Sequence, residues 1–153
     1  MKVCVCSDSH GNWMALQEMV DREKPRIILF LGDGERDWSH VDLPQHTSFY
    51  AVCGNCDWMA MEPPMRRLEL CGKTIFLTHG HLYGAKNGLS GLERYVRDLP
   101  TDLVLYGHTH HPQMDRDEHT IYLCPGSMNH QEERYAVLTL AQDQPVDVSF
   151  RRL

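Results

Sequence analysis

Hydrophobic residues fall along this chain in two rhythms. Short, nearly continuous apolar runs occur at Lys2–Cys6, Ile27–Leu31, Phe49–Cys53, Ile75–Leu77 and Leu103–Tyr106. That is the pattern of strands covered on both faces. Helical spacing appears at Trp13, Leu16, Met19 and Val20, ahead of Pro25, and again over Leu89–Leu99 at Leu92, Tyr95, Val96 and Leu99, where Pro100 stops it. Asn12 is placed to cap the first of these helices. Leu68–Leu70 leads through Gly72 into Ile75–Leu77, and Gln113–Arg116, Thr120–Leu123, Tyr135–Leu140 and Val146–Phe150 read as short strands joined by turns. Alternating strands and helices followed by an all-strand tail predict an α/β fold of two packed sheets with helices outside.

The length, 153 residues, is that of one domain, so a single domain over 1–153 without a cap is expected. No apolar run approaches the roughly 20 residues of a membrane-spanning helix. Met1–Cys6 is too short for a secretory core, which predicts a cytoplasmic protein whose six cysteines remain thiols. Cys53 and Cys56 have the spacing of a redox or zinc pair, yet no second pair accompanies them and they do not open a predicted helix. With 15 Lys+Arg against 21 Asp+Glu the net charge is -6. No general positive field is available to gather nucleic acid, so an anionic substrate has to be held locally.

The chemistry lies just past the end of each predicted strand. Asp8-Ser9-His10 comes after the first, Gly32-Asp33 after the second and Gly54-Asn55-Cys56-Asp57 after the third. Thr78-His79-Gly80-His81 and Gly107-His108-Thr109-His110 come after the next two. Sites in open α/β sheets form at the carboxyl ends of strands, so these loops are expected to converge. Taken singly, each is an ordinary turn. Taken together they offer imidazole and carboxylate without thiolate, a donor set for borderline divalent metals, in numbers that suit two ions.

In that order the motifs resemble the calcineurin-like metallophosphoesterase superfamily, whose pattern runs D-x-H, G-D, G-N-x-D, H, G-H-x-H. Thr78-His79-Gly80-His81 and Pro125-Gly126-Ser127 resemble its small YfcE-type phosphodiesterases more narrowly. The resemblance implies a four-layer α/β/β/α sandwich of two mixed sheets. It also implies one metal held by Asp8, His10, Asp33 and His110, and a second held by Asp33, Asn55, His79 and His108, with Asp33 bridging. Manganese is the first expectation for both ions, with iron, nickel and zinc as alternatives. His81 and His111 fall outside the implied ligand sets. Many superfamily members carry an Asp three residues after the bridging one and a His directly after the Asn; here Asp37 comes four later and Cys56 succeeds Asn55.

The implied activity is hydrolysis of a small phosphodiester, with a bridging hydroxide attacking phosphorus in line. Asn55 is expected to ligate through its carbonyl and donate its amide to the phosphate. Cys56 stands where relatives place a proton-donating histidine, and His81 is the other candidate for that role. Trp38 and Trp58, with Met59, Met61, Pro63 and Pro64, either rim the site for a planar leaving group or serve packing or a subunit contact. A metal-stabilised scaffold without useful turnover and a nuclease of the same superfamily are the competing readings. The intact ligand set argues against the first, and the acidic charge balance against the second. The expected partner is a small-molecule substrate, without a membrane or general nucleic-acid binding; assembly into a homo-oligomer is left open.

Overall fold

Ten strands organise the molecule, which we describe over residues 1–153 from a computed structural model. They are β1 (Lys2–Cys6), β2 (Ile27–Phe30), β3 (Ser48–Ala51), β4 (Met65–Leu70), β5 (Lys73–Thr78), β6 (Leu103–Leu105), β7 (Gln113–Arg116), β8 (Ile121–Cys124), β9 (Arg134–Thr139) and β10 (Asp147–Arg152). Two mixed five-stranded sheets result, in the orders β10-β9-β1-β2-β3 and β4-β5-β6-β8-β7. In the first, β1, β2 and β3 run parallel, with Cys6 opposite Phe30 and Phe30 opposite Ala51. In the second, β5, β6 and β8 are parallel and the two edge strands antiparallel.

Period-two alternation divides the apolar residues between cores. Val3, Val5, Leu29 and Leu31 point into the gap between the sheets and meet Ile75, Leu77, Leu103 and Leu105. Their neighbours Cys4, Cys6, Ile28 and Phe30 point the other way, onto Leu16, Met19 and Val20 of helix α1 (Trp13–Glu23). Phe76 and Val104 face Leu92 and Val96 of helix α2 (Ser90–Val96). The order is therefore helix, sheet, sheet, helix, the four-layer sandwich expected from the sequence. No helix is long and apolar enough to cross a membrane.

Departures from the expected elements have local causes. The second helix ends at Val96, three residues short of the expected Leu99, because Pro100 pushes its predecessor out of helical geometry. Strand β3 stops at Ala51: the Val52 N–H still bonds Phe30 O at 3.0 Å, but the Cys53 N–H turns away to Pro63 O at 2.9 Å. Strand β4 starts at Met65, earlier than expected, since it is a half-exposed edge strand whose pairing with β5 exceeds its apolar run. Cys71 and Gly72 close that hairpin with φ of 50° and 72°, the signs of a two-residue primed turn.

Leu29 is wholly buried between the sheets and two residues from the Leu31 carbonyl that the site uses. Leu29→Ala should lower the unfolding free energy by about 2–5 kcal/mol, read as a shift in the urea midpoint at unchanged slope.

Candidate metal centre

Because β1 and β2 are parallel neighbours, their carboxyl ends deliver two carboxylates side by side. Asp8 N–H bonds Gly32 O at 2.9 Å and His10 N–H bonds Asp33 O at 3.2 Å, which carries the strand pairing on into the loops. Asp8 is fully buried and Asp33 almost so. Burial by itself pushes the Asp8 carboxyl upward, but His10, His110, His79 and Ser7 around it outweigh that and hold it well below the ordinary carboxylate range. Asp33 behaves alike: burial raises it, and His79 together with the Cys56 N–H brings it below its usual value. Both groups are ionised at neutral pH.

Histidines from the Asp8 loop itself and from two other loops, after β5 and β6, surround these anions. Asp8, His10 and His110 form one group and Asp33, His79 and His108 another, the candidate ligand atoms of each lying within 4.8 Å of one another. Asp33 Oδ2 stands 3.3 Å from His79 Nε2 and 3.9 Å from His10 Nε2, so it faces both. His79 carries the informative detail. Its Nδ1 donates to Leu31 O at 2.7 Å, which leaves a lone pair on Nε2. That Nε2 is buried and has no aligned hydrogen-bond partner. A ring held by a backbone carbonyl, with its free nitrogen aimed at a carboxylate, is the arrangement of a metal-ligating histidine. The donor set therefore fits divalent cations.

The backbone is shaped for the same end. Asp8, His10, Asp33, His108 and His110 all have φ between 45° and 67°, a region that Asp and His tolerate better than most residues but at a cost. Two glycines allow the close approach: a methyl group at Gly54 would overlap Asp33 Oδ1, and one at Gly107 would overlap Ser7 Oγ.

A family model described as the calcineurin-like phosphoesterase superfamily domain matches residues 1–143. The chain belongs to the calcineurin-like phosphoesterase superfamily. It is 31% identical over 149 residues to the probable metallophosphoesterase YsnB of Bacillus subtilis, covering 94% of this chain and 86% of YsnB. It is 27% identical over 154 residues to the phosphodiesterase YfcE of Escherichia coli K12, covering 84% of this chain and 80% of YfcE. Among solved structures, Vps29 of Entamoeba histolytica in complex with Zn²⁺ superposes with a TM-score of 0.76 at 18% identity, covering 99% of this chain and 98% of that one. At that identity the likeness concerns the fold.

Membership in the phosphoesterase superfamily gives the remaining expected residues a frame. Asn55 and Cys56 are exposed beside Asp33, the Asn55 Nδ2 donating to Cys56 Sγ at 3.4 Å. The Cys56 thiol also forms a group with His10 and Asp33, and its N–H donates to Asp33 Oδ1 at 2.8 Å. His81 lies next to the second group, its ring 5.4 Å from that of His79 and 6.1 Å from that of His108, with a buried Nδ1 that has no partner. His111 is exposed and lies outside both groups. Trp38 does not rim the site: it packs edge-on against Phe30 at 5.5 Å and against Phe49 at 4.7 Å, as an extension of the α1 core. Trp58 does lie at the rim, 80% exposed.

Two acidic residues outside the expected ligand set hold these loops together. Asp57 accepts the N–H groups of Asp33 and Gly54 on one oxygen at 2.8 and 2.7 Å, and those of Gly34 and Glu35 on the other at 2.8 and 2.9 Å. Asp37 accepts Ser9 Oγ at 2.6 Å and Gly11 N–H at 2.9 Å. Behind them Ser127 Oγ donates to Asp8 O at 2.8 Å, which gives the Pro125-Gly126-Ser127 segment its place. The Asp57 signal was in the sequence, as the last residue of the G-N-x-D motif, but a carboxylate saturated by backbone donors cannot be told there from one that binds metal.

Asp57→Asn replaces one acceptor oxygen by a donor facing two N–H groups. It should lower stability by about 1–3 kcal/mol and weaken metal retention at Asp33, measured by urea unfolding and by metal content after dialysis.

Proposed function

We propose that this protein is a metal-dependent hydrolase of small phosphodiesters working with two divalent ions. Asp8, His10, Asp33 and His110 would hold one, and Asp33, Asn55, His79 and His108 the other. The observation that carries the reading is the His79 Nε2, orphaned in a buried site and directed at an ionised Asp33, with a second ionised carboxylate and three more imidazoles around it. The nitrogen and oxygen donors suit manganese, iron, nickel and zinc alike, and manganese is the first candidate on the family resemblance rather than on the donor set. When bound, such ions supply Lewis acidity toward phosphoryl oxygens and lower the pKa of water.

The protein's own groups set the remaining steps. The Leu31 carbonyl fixes the tautomer of His79, while Ser7 Oγ at 2.5 Å and the His108 N–H at 3.1 Å orient Asp8 Oδ2. Asn55 stands exposed at the edge of the site, where its amide can donate to a phosphoryl oxygen. Ser7 and Ser9 are fully buried, each with its hydroxyl donating to an Asp, so neither is available as a nucleophile. Water would then form the new P–O bond as the ester oxygen leaves with a proton, in one step with inversion at phosphorus. Cys56 is the exposed group beside Asp33 that a departing alkoxide would meet, and a thiol is a weak hydrogen-bond donor. The net charge of -6 speaks against a nuclease. Retention of every implied ligand speaks against a scaffold without turnover.

Metal analysis followed by turnover of a diester panel tests this reading. Asp33→Ala should lose both ions and His110→Ala mainly one; a full complement of two ions in Asp33→Ala would overturn the assignment.

Unassisted departure of the leaving group predicts a steep dependence of kcat on leaving-group pKa. Cys56→His should accelerate alkyl esters by about 10²-fold or more and leave nitrophenyl esters nearly unchanged. A flat dependence, with chemistry rate-limiting, would place the proton donor elsewhere and make His81→Ala the next variant.

A further inference from the structure

Beside Asp33 and His10 opens a cleft of ≈ 270 Å³ that mixes charged and large apolar side chains. It is lined by His10, Asp33 and Cys56 of the site, by the charged Glu35 and Arg36, and by Trp58, Met59 and Met61. These three side chains are 80%, 90% and 90% exposed. Solvent-facing Trp and Met at such exposure gain nothing from the protein's own core.

The loop that carries them is nevertheless fixed. Glu35 accepts the Met61 N–H at 2.7 Å and the Glu62 N–H at 3.3 Å, and Arg36 donates to Trp58 O at 3.3 Å. Asp57, the preceding residue, is anchored by its four backbone donors. Met59 is held at φ 54°, an uncommon conformation for a non-glycine residue. Two charged side chains and a strained residue thus hold an apolar surface out in water at the mouth of the candidate metal centre. Three side chains are far fewer than the roughly 20–30 residues a side of a stable protein interface. The cleft itself has the dimensions of a small organic group.

We infer that Trp58, Met59 and Met61 form a subsite for the ester substituent of the substrate, and that the substituent is planar and aromatic, an aryl or nucleobase-bearing group. A phosphoryl group held by a divalent ion at Asp33 and His10 would have this cleft within reach of one of its ester arms. The indole offers a flat face for stacking, and methionines adapt to rings of differing outline. The subsite confers specificity and takes no part in the chemistry. It rests on the phosphoesterase reading of the neighbouring centre.

Affinities of the metal-loaded protein for inorganic phosphate, methyl phosphate and phenyl phosphate, measured by titration calorimetry, test the inference. Phenyl phosphate should bind about tenfold more tightly than methyl phosphate, and Trp58→Ala should bring that ratio close to one. The ratio is taken within each variant, so a general change in phosphate affinity cancels. Equal affinities in the unmodified protein, or a ratio that survives Trp58→Ala, would overturn the subsite and leave the centre's reading intact. Failure of all three phosphates to bind would sink both. Sedimentation equilibrium supplies the last arm: a dimer that Trp58→Ala dissociates would give the apolar side chains to a second copy of the chain and overturn the inference.

Discussion

Two ionised carboxylates buried side by side at the ends of parallel strands are the constraint around which this molecule is built. Asp8 and Asp33 succeed β1 and β2, whose register sets Cys6 against Phe30, so the chain cannot separate them without breaking the first sheet. Like charges in a poorly solvated site repel strongly, and the arrangement persists only where cations or hydrogen-bond donors compensate. The protein supplies donors from its own backbone at Cys56 and His108, and imidazoles from His10, His79, His108 and His110. The proposed divalent ions would complete the compensation, so that one geometry would both stabilise the loops and prepare a reactive centre.

The periphery is organised by that centre. Five of the seven expected ligands occupy left-handed backbone conformations, each costing on the order of 1–3 kcal/mol when nothing opposes it. Asp57 and Asp37 oppose it by bonding loop to loop, the former through four N–H groups and the latter through Ser9 and Gly11. A carboxylate that accepts several backbone donors becomes in effect part of the scaffold, and the ligands need not hold one another in place. Leu31 links this scaffold to the core, its side chain packed between the sheets while its carbonyl fixes His79.

Much of this was legible in the sequence, because burial on both faces writes strands such as Ile27–Phe30 and Leu103–Leu105 as unbroken apolar runs. The converging loops were legible through the motif order, since glycines and titratable residues recur directly after those runs. Edge strands were read less well: Met65–Leu70 is half-exposed and shows its partner only through pairing, which leaves little trace in composition. Trp38 and Trp58 could not be separated on sequence, as both come shortly after site residues. One faces Phe30 and Phe49 while the other faces solvent, a difference decided by the short helical turn over Glu35–His40 that no apolar periodicity announces. Asp37 was noticed for its altered spacing, yet its bonds to Ser9 and Gly11 depend on tertiary approach.

An acidic protein that acts on a phosphate needs its attraction to be short-ranged. With a net charge of -6 the surface field works against an approaching anion, and at physiological ionic strength it is screened beyond roughly 8 Å. The two divalent ions proposed at Asp8 and Asp33 would leave a positive centre that acts inside that distance. Recognition then depends less on steering than on what contacts the substrate once it has arrived. Close to the centre the contacts are those of any phosphate, and chemical identity has to be read farther out. In this chain Trp58, Met59 and Met61 line the same cleft as Asp33 and His10, so on the proposed reading charge would give the class of substrate and apolar contact the choice within it.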